Sequence, residues 1–278
     1  MCKECGCGLG GDVQIGGHSH GHESESGHAH PHGHDHDHGH DHDHGHPHPQ
    51  EPAPGRSSQT VTLQRSLLEK NDRLAEQNRG FFRAKKLLVL NVVSSPGSGK
   101  TTFIRETAVQ LAGRLRVGVI VGDLATDNDA ARLRTAGIPV VQITTGTVCH
   151  LDADMIARAC AQMDLDALDV LVIENVGNLV CPADYDLGED LRVVLLSVTE
   201  GEDKPLKYPP MFHSANVAVI TKSDMAAAAG FDRALALANL QRASHHARHF
   251  ELSAKTGEGM KTWLDFLVER QAAAKPKP

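Results

Sequence analysis

From about residue 85 onward, short runs of Val, Leu and Ile alternate with longer segments whose apolar residues recur at helical spacing. Such runs are typical of strands buried on both faces. Their alternation with helices predicts an α/β domain with a mostly parallel central sheet and helices on both faces. The predicted strands span 86–93, 117–121, 140–144, 170–174, 193–198, 217–221 and 249–252, and the clearest predicted helices span 100–111, 151–163, 232–243 and 260–273.

The alternation is missing from the N-terminal part of the chain, which we divide into three segments. Residues 1–17 are rich in Cys and Gly and are called the head; residues 18–55 hold fourteen histidines, mostly at every second position, and a Pro-rich linker. Because these residues have too few large apolar side chains to bury a core, we predict a disordered His-rich tail. Residues 56–84 predict an amphipathic helix, which either packs on the flank of the domain or docks a partner. The domain itself is predicted to span 85–278.

Composition excludes several classes of protein. The formal charge of −7 provides no basic surface for nucleic acid. No stretch reaches the roughly 18 apolar residues that are needed to span a bilayer, and the first residues lack the apolar segment of a secretory signal. We therefore expect a cytoplasmic protein without nucleic-acid or membrane partners. In that compartment six cysteines indicate metal or redox chemistry rather than disulfides.

A phosphate-binding loop follows the first predicted strand. Residues 94–101 read Ser-Ser-Pro-Gly-Ser-Gly-Lys-Thr, the P-loop pattern with Ser in place of its first Gly. The glycines let backbone N–H groups point at phosphate oxygens, and the N-terminus of the following helix adds a favourable dipole. We expect Lys100 to reach the β and γ phosphates and Thr101 to bind Mg²⁺. The predicted nucleotide-binding residues of this loop are Pro96, Gly97, Ser98, Gly99, Lys100, Thr101 and Thr102.

Two carboxylates at predicted strand ends are candidates for holding the magnesium ion and supporting catalysis. Asp123 follows the second strand and Glu174 ends the fourth. The Glu-x-x-Gly string that starts at Glu174 resembles the Walker B segment of P-loop GTPases, in which the glycine N–H, here that of Gly177, senses the γ-phosphate. The alternative is that either acid is buried without a catalytic duty. Asp127 is a weaker candidate for positioning the attacking water.

A second motif predicts which base is bound. Thr221-Lys222-Ser223-Asp224 resembles the Asn/Thr-Lys-x-Asp guanine-recognition motif of GTPases. The Asp224 carboxylate can accept two hydrogen bonds from guanine that adenine cannot donate, which discriminates strongly between the bases. Lys222 would pack along the base, and Ser253-Ala254-Lys255 resembles the loop that completes the pocket. We therefore predict binding of GTP and GDP. Thr221 stands where Asn is commoner, which affects only the expected nucleotide affinity.

Three groups of residues are candidate transition-metal ligands. In the head, Cys2-x-x-Cys5-x-Cys7 places three thiolates within six residues; thiolates suit nickel, zinc or copper(I), and added amine nitrogens would give the square-planar set that Ni²⁺ prefers. The alternative is an unstructured reduced tail. The histidine run can bind several Ni²⁺ or Zn²⁺ ions loosely, which suggests storage or buffering.

The third group consists of Cys149, His150 and Cys181, in loops that leave the carboxyl ends of strands on the nucleotide side of the sheet. Three ligands leave a coordination position open, or call for a second subunit. The alternative for each cysteine is a buried structural role. Cys160, in the middle of a predicted helix, is expected to lie in the core.

Together these strings resemble the HypB nickel-incorporation GTPases of nickel–iron hydrogenase maturation. The resemblance rests on the head, the P-loop, and residues 149–153, 173–182 and 197–209. It implies a G domain of the SIMIBI type that dimerises with nucleotide at the interface, with Cys149, His150 and Cys181 at that interface. It also implies a tight nickel site in the head, delivery of nickel to the hydrogenase large subunit, and a small zinc-containing partner, HypA.

Three functions are therefore weighed. The first is a metallochaperone GTPase for hydrogenase, in which GTP with Mg²⁺ closes a dimer and changes the metal affinity of the Cys149 site. The second is a related nickel GTPase that serves urease, which the cysteine head and the context of Cys181 disfavour. The third is a nickel storage protein with a vestigial GTPase, which the intact nucleotide motifs disfavour. Nickel and zinc both stay open as occupants of the Cys149 site.

Overall fold

The computed structural model describes the backbone of residues 14–15 and 56–274, and the side chains of residue 15 and residues 65–274. The predictions for the head cysteines and for the His-rich region fall outside the described residues. The chain divides into two units, residues 18–65 and the remainder. Of the first unit the structure describes residues 56–65, which are helical.

The helices and strands alternate along most of the described chain. The helices are α1 Arg56–Ala84, α2 Lys100–Leu111, α3 Asn128–Thr135, α4 Ala153–Cys160, α5 Lys204–Lys207, α6 Pro209–His213, α7 Ala226–Ala229, α8 Arg233–Ala243 and α9 Met260–Ala274. The strands are β1 Gln14–Ile15, β2 Leu88–Val93, β3 Val117–Asp123, β4 Val140–Thr144, β5 Val170–Glu174, β6 Leu191–Ser197, β7 Val217–Thr221 and β8 Arg248–Glu251.

The strands form one sheet in the order β1-β4-β3-β5-β2-β6-β7-β8. Seven of them, β2 to β8, are parallel, and the two-residue β1 pairs antiparallel with β4 at one edge. Alternate residues of a strand enter different core clusters; Leu90 belongs to a cluster that includes α2 and α9, whereas Val89 packs with α4. The predicted fold class, a mostly parallel sheet with helices on both faces, is confirmed.

Local differences from the predicted elements have identifiable causes. The predicted helix 151–163 is shorter at both ends. It begins after Asp152, which caps α4 by accepting a 2.8 Å hydrogen bond from the N–H of Met155, and it ends at Cys160. Helix α3 was not predicted, since its eight residues bury only Ala130 and Leu133 and so carry little helical pattern. Three predicted strands, 140–144, 170–174 and 217–221, have the observed bounds, and the boundaries of the others differ by at most two residues.

The part of α1 that belongs to the second unit packs on the flank of the sheet domain through a stripe of both polar and apolar residues. Its buried residues Asn71, Ala75, Asn78 and Phe82 recur at intervals of four, three and four and therefore share one face. The helix backbone also comes so close to Gly188, which has φ +90°, that a Cβ there would meet the Ala75 carbonyl at 2.7 Å. In this part of α1, the helix packs on the flank of the domain, which is the first of the two alternatives that the sequence left open.

Candidate nucleotide and metal site

The loop between β2 and α2 has the backbone that phosphate binding requires. Gly97 and Gly99 have φ values of +76° and +93°, a region that side-chain-bearing residues rarely adopt. Gly99 stands directly before α2, so the N–H groups of the first helical turn have no partners within the helix. Lys100 lies along the loop with its Nζ 3.1 Å from Ser94 Oγ, and burial lowers the pKa of its ammonium. The loop is therefore prepared for an anion.

A cavity of about 550 Å³ opens over this loop. It is lined by the P-loop, by Asp123 and Glu174 at the ends of β3 and β5, and by Gly177. All of these are sequence-predicted residues, and they meet because the carboxyl ends of parallel strands share one edge of the sheet. Asp129 and Arg132 from α3 also line the cavity. Sequence reasoning missed these two residues because it missed the helix that carries them.

Glu174 and Thr101 form the part of the site that fits a magnesium ion. Thr101 Oγ1 donates a 2.7 Å hydrogen bond to Glu174 Oε1, and Oε2 of this buried carboxylate has no hydrogen-bond partner among the described residues. Burial raises the pKa of Glu174 from 4.5 to about 7. A hydroxyl and a carboxylate with an unsatisfied oxygen are the hard oxygen donors that Mg²⁺ prefers. The donor set therefore fits the ion that the sequence predicts.

Asp123 and Asp127 have different surroundings. Asp123 Oδ1 accepts 2.9 Å hydrogen bonds from the backbone N–H groups of Ala125 and Thr126, which fixes the loop after β3. Asp127 pairs with Arg134 at 2.8 Å and is not among the residues that line the cavity. Of these two, only Asp123 lies beside the predicted phosphate site.

A second cavity, of about 200 Å³, lies next to the first and contains the predicted base-reading residues. Ser253 Oγ donates a 2.6 Å hydrogen bond to Asp224 Oδ1, which orients that carboxylate. Thr221 Oγ1 donates to the Ser98 carbonyl at 3.0 Å, so the residue that replaces Asn still ties this motif to the P-loop. Lys222 Nζ reaches the Gly97 carbonyl at 2.8 Å. Ala254 and Lys255 complete the lining.

Two of the three predicted metal ligands in this domain are brought together. The Sγ atoms of Cys149 and Cys181 lie 2.9 Å apart, far beyond the roughly 2.05 Å of a disulfide bond, so they are paired thiols. Asn178 Nδ2 donates to the Cys149 carbonyl at 3.2 Å and joins the two loops. Cys160 lies in the core as expected, where burial raises the pKa of its thiol to about 12.

His150 is not part of this arrangement. Its ring stacks on Tyr185 with centroids 3.8 Å apart, and its buried Nδ1 has no hydrogen-bond partner among the described residues. Burial lowers the pKa of this imidazole and favours the neutral form, which is the form that ligates metals. Within the described ranges, no three His, Cys, Asp or Glu side chains are arranged to hold a metal ion. The cysteine pair is thus an incomplete ligand set in a single chain.

A brace beneath the P-loop was not predicted. Glu200 Oε2 accepts hydrogen bonds from Ser98 Oγ and from the Ser197 N–H, each at 3.1 Å. Lys204 Nζ reaches Ser95 Oγ at 3.2 Å and lies 3.6 Å from the Glu200 carboxylate. The Ser-x-x-Glu spacing of Ser197 and Glu200 is a capping box and was the available signal for this structure.

These features define a P-loop nucleotide-binding protein: a glycine loop between strand and helix, a strand-end carboxylate bonded to the loop threonine, and an adjoining cavity that contains the predicted base-reading residues. A family model described as "CobW/HypB/UreG, nucleotide-binding domain" matches residues 88–250. The hydrogenase maturation factor HypB of Azotobacter chroococcum is 52% identical over 227 residues, covering 80% of this chain and 73% of that protein. The chain belongs to the HypB family of hydrogenase maturation factors.

Two further comparisons involve HypB of Helicobacter pylori. The hydrogenase/urease maturation factor HypB of Helicobacter pylori is 40% identical over 222 residues, covering 78% of this chain and 91% of that protein. A crystal structure of HypB from Helicobacter pylori in complex with nickel superposes with a TM-score of 0.71 at 40% identity. That comparison covers 75% of this chain and 99% of the other. In the described part of this chain, no helix is both long and apolar enough to cross a membrane.

Proposed function

We propose that this protein is a GTP-hydrolysing metallochaperone that binds nickel and delivers it to the large subunit of a nickel–iron hydrogenase. The observation that carries the proposal is the position of the cysteine pair. Cys181 lies four residues after Gly177, the predicted γ-phosphate sensor, and Asn178 between them is hydrogen-bonded to the Cys149 carbonyl. A nucleotide-dependent movement of this short segment would therefore move one thiolate relative to the other.

The choice of GTP rests on Asp224. Its carboxylate is oriented by Ser253 and lines a cavity that adjoins the phosphate cavity. With guanine in that cavity, both carboxylate oxygens would accept hydrogen bonds from the base. Adenine would leave the acid facing an acceptor, a mismatch that enzymes use for strong discrimination.

Hydrolysis would use the residues around the larger cavity. Lys100 and the N–H groups of the P-loop would neutralise and orient the β and γ phosphates, and the Gly177 N–H would bind the γ-phosphate. Thr101 and Glu174, with Asp123 nearby, would hold Mg²⁺, which would supply charge neutralisation on the phosphate oxygens when bound. The sequence motifs contain no arginine finger, so we expect the slow turnover of a switch protein, although Arg132 of α3 does line the cavity.

The metal cargo would be held by Cys149 and Cys181, with His150 as third ligand after its ring leaves Tyr185. A second copy of the chain across a GTP-dependent dimer interface would supply further ligands. The head thiolates of Cys2, Cys5 and Cys7 would form the tight nickel site, and the histidine run a loose reservoir for Ni²⁺ or Zn²⁺. A HypA-like zinc protein would assist delivery. These assignments follow from the resemblance and from the incomplete ligand set of one chain.

The decisive experiment is a Ni²⁺ and Zn²⁺ titration of the full chain with Ser at Cys2, Cys5 and Cys7, in GDP and in a non-hydrolysable GTP analogue. Thiolate-to-Ni²⁺ charge-transfer absorption then reports Ni²⁺ at the Cys149 site and not in the histidine run. Zn²⁺, which has no such band, is measured by its competition with Ni²⁺. We expect different affinities in the two nucleotide states, lost in Cys149→Ala and retained in the core control Cys160→Ala. Equal affinities in both states, unchanged by Cys149→Ala, would refute the coupled mechanism.

Delivery to urease is the second candidate, and the name of the Helicobacter pylori relative favours it. Complementation separates the two clients. Expression in a host that contains both nickel enzymes but lacks its own factor should restore hydrogenase activity. Recovery of urease activity alone would make urease the client.

A further inference from the structure

A chain of buried polar side chains crosses the centre of the sheet, where apolar residues are expected. It begins at Asn175 in the nucleotide-sensing segment and runs through Asn91 on β2 to Glu189 and to Arg192 on β6. These four side chains belong to residues that are at most 9% exposed. Polar groups in such a place lower stability unless each is hydrogen-bonded, so their partners indicate what the arrangement does.

In the first half of this series of hydrogen bonds, two Asn side chains each use both the oxygen and the nitrogen of the amide. Asn175 accepts a 2.9 Å hydrogen bond from the Val176 N–H through Oδ1 and donates through Nδ2 to Asn91 Oδ1 at 3.1 Å. Asn91 passes the connection on, because its Nδ2 donates to Glu189 Oε1 at 3.0 Å. Asn175 and Val176 line the nucleotide cavity. A backbone change at residue 176 must therefore either break a buried hydrogen bond or move Asn91.

In the second half of this series, Glu189 and Arg192 make hydrogen bonds to the backbone of the segment that follows Cys181. Glu189 Oε1 also accepts from Arg192 Nε at 3.0 Å, and Glu189 Oε2 accepts from the Leu187 N–H at 2.8 Å. The Arg192 guanidinium then donates to the carbonyl oxygens of Ala183 and Tyr185 at 3.0 and 2.7 Å. Tyr185 is the residue on which the His150 ring stacks. The polar chain thus ends on the backbone that positions both Cys181 and His150.

We propose that Asn91, Glu189 and Arg192 are positioning residues that link the nucleotide-sensing segment 175–177 to the metal-binding segment 181–187; we call this chain the buried relay. The inference rests on the proposed function, since it explains how the nucleotide state changes metal affinity. The backbone from Gly177 to Cys181 connects the nucleotide-sensing segment to one end of segment 181–187, and the relay holds the other end. Because both ends are held, a shift at residue 176 changes the position of Cys181 relative to Cys149 and is not absorbed by movement of segment 181–187.

The test compares the ratio of Ni²⁺ affinities in the GTP-analogue and GDP states between the wild type and Asn91→Leu. Both proteins are full chains with Ser at the three head cysteines. Leu has nearly the shape of Asn but makes neither hydrogen bond. We expect the ratio to fall to within about twofold of one, with GDP binding in the absence of metal retained, because Asn91 is not among the residues that line either nucleotide cavity. A ratio that stays at the wild-type value would overturn the relay.

Asn78→Ala is the matched control. Asn78 is also buried and donates to the carbonyl oxygens of Leu187 and Ala153 at 3.1 and 2.9 Å, so its removal loosens the same segment outside the relay. We expect a lower melting temperature and an unchanged affinity ratio. If both variants reduce the ratio equally, general loosening explains the effect and the relay is refuted.

Two further measurements keep the inference testable if Asn91→Leu does not fold. Arg192→Lys retains the charge but cannot span both carbonyl oxygens, and should also bring the ratio towards one. In the wild type, hydrogen exchange of the Leu187 amide, which donates to Glu189, should differ between the two nucleotide states. Equal protection would overturn the relay. A wild-type affinity ratio of one would instead refute the coupling in the proposed function itself.

Discussion

Thr101 Oγ1 donates a 2.7 Å hydrogen bond to Glu174 Oε1 and so joins the first turn of the P-loop helix to the end of β5. The two residues are 73 positions apart and belong to two separate motifs of the sequence. Their contact leaves Glu174 Oε2 as a buried oxygen without a hydrogen-bond partner in the described residues. One proton or one cation can satisfy that oxygen, which makes the pair sensitive to both pH and Mg²⁺.

Stability should fall with rising pH because of Glu174. Its folded-state pKa of about 7 exceeds the ordinary 4.5, so its contribution is fully present below pH 4.5 and is lost as the pH rises through 7. The ligand-free protein should lose about 2–3 kcal/mol from this group between pH 5 and 8. Urea unfolding of wild type and Glu174→Gln checks it. Subtracting the pH profile of Glu174→Gln from that of the wild type removes the contribution of the histidines and leaves that of Glu174. Parallel pH profiles would contradict the prediction.

Lys100 should be needed for turnover. It lies partly buried along the P-loop, with its Nζ held at Ser94 Oγ. We expect Lys100→Met to reduce kcat for GTP by roughly 10²–10³, as for the loss of one preorganised charge or donor. Phosphate release measures this, with Lys207→Met as the control, because Lys207 is exposed and pairs with Asp203 at 2.6 Å. A similar decrease in both variants would show that the assay does not report the site.

Asp224→Asn should change the base that is bound. The amide can donate to the 2-carbonyl of xanthine but cannot accept the two hydrogen bonds of guanine, so preference should move to xanthosine triphosphate by several orders of magnitude. Competition binding of the two nucleotides measures the change. Ser253→Ala removes the 2.6 Å hydrogen bond that orients Asp224, together with the two that Ser253 Oγ accepts from the Lys255 and Thr256 N–H groups at 3.2 Å. This variant should weaken GTP binding without changing the preference. Unchanged GTP use by Asp224→Asn would remove this residue from the base pocket.

Mild oxidation should join Cys149 and Cys181. Their sulfur atoms are already 2.9 Å apart, so a thiol oxidant such as diamide needs to bring them less than about 1 Å closer. In the chain with Ser at the head cysteines, we expect two of the remaining three thiols to lose reactivity towards an alkylating reagent. Cys160 should stay reduced, since burial raises the pKa of its thiol to about 12. Peptide mapping identifies the bridge, bound Ni²⁺ should protect against it, and a bridge that includes Cys160 would contradict the structure.

The local motifs were predictable because each consists of consecutive residues. Gly97 and Gly99 indicate the left-handed backbone of the P-loop, and the string from Thr221 to Asp224 indicates the predicted base pocket. The parallel sheet follows from the periodic apolar runs, and the convergence of Asp123 and Glu174 follows from the rule that parallel strands end at one edge. These inferences need only local backbone preference and strand order.

Other features depended on contacts between distant residues, which no local pattern encodes. Asn91 reads as an ordinary strand residue, and only tertiary packing sets its amide between Asn175 and Glu189. Likewise, His150 was expected beside the cysteines, yet its ring stacks on Tyr185. Sequence patterns therefore predicted the nucleotide-binding domain, which the family match shows, and proposed the candidate ligands. The tertiary structure decided which ligands meet and how they connect to the nucleotide, because side-chain partners are chosen by packing across the whole sheet.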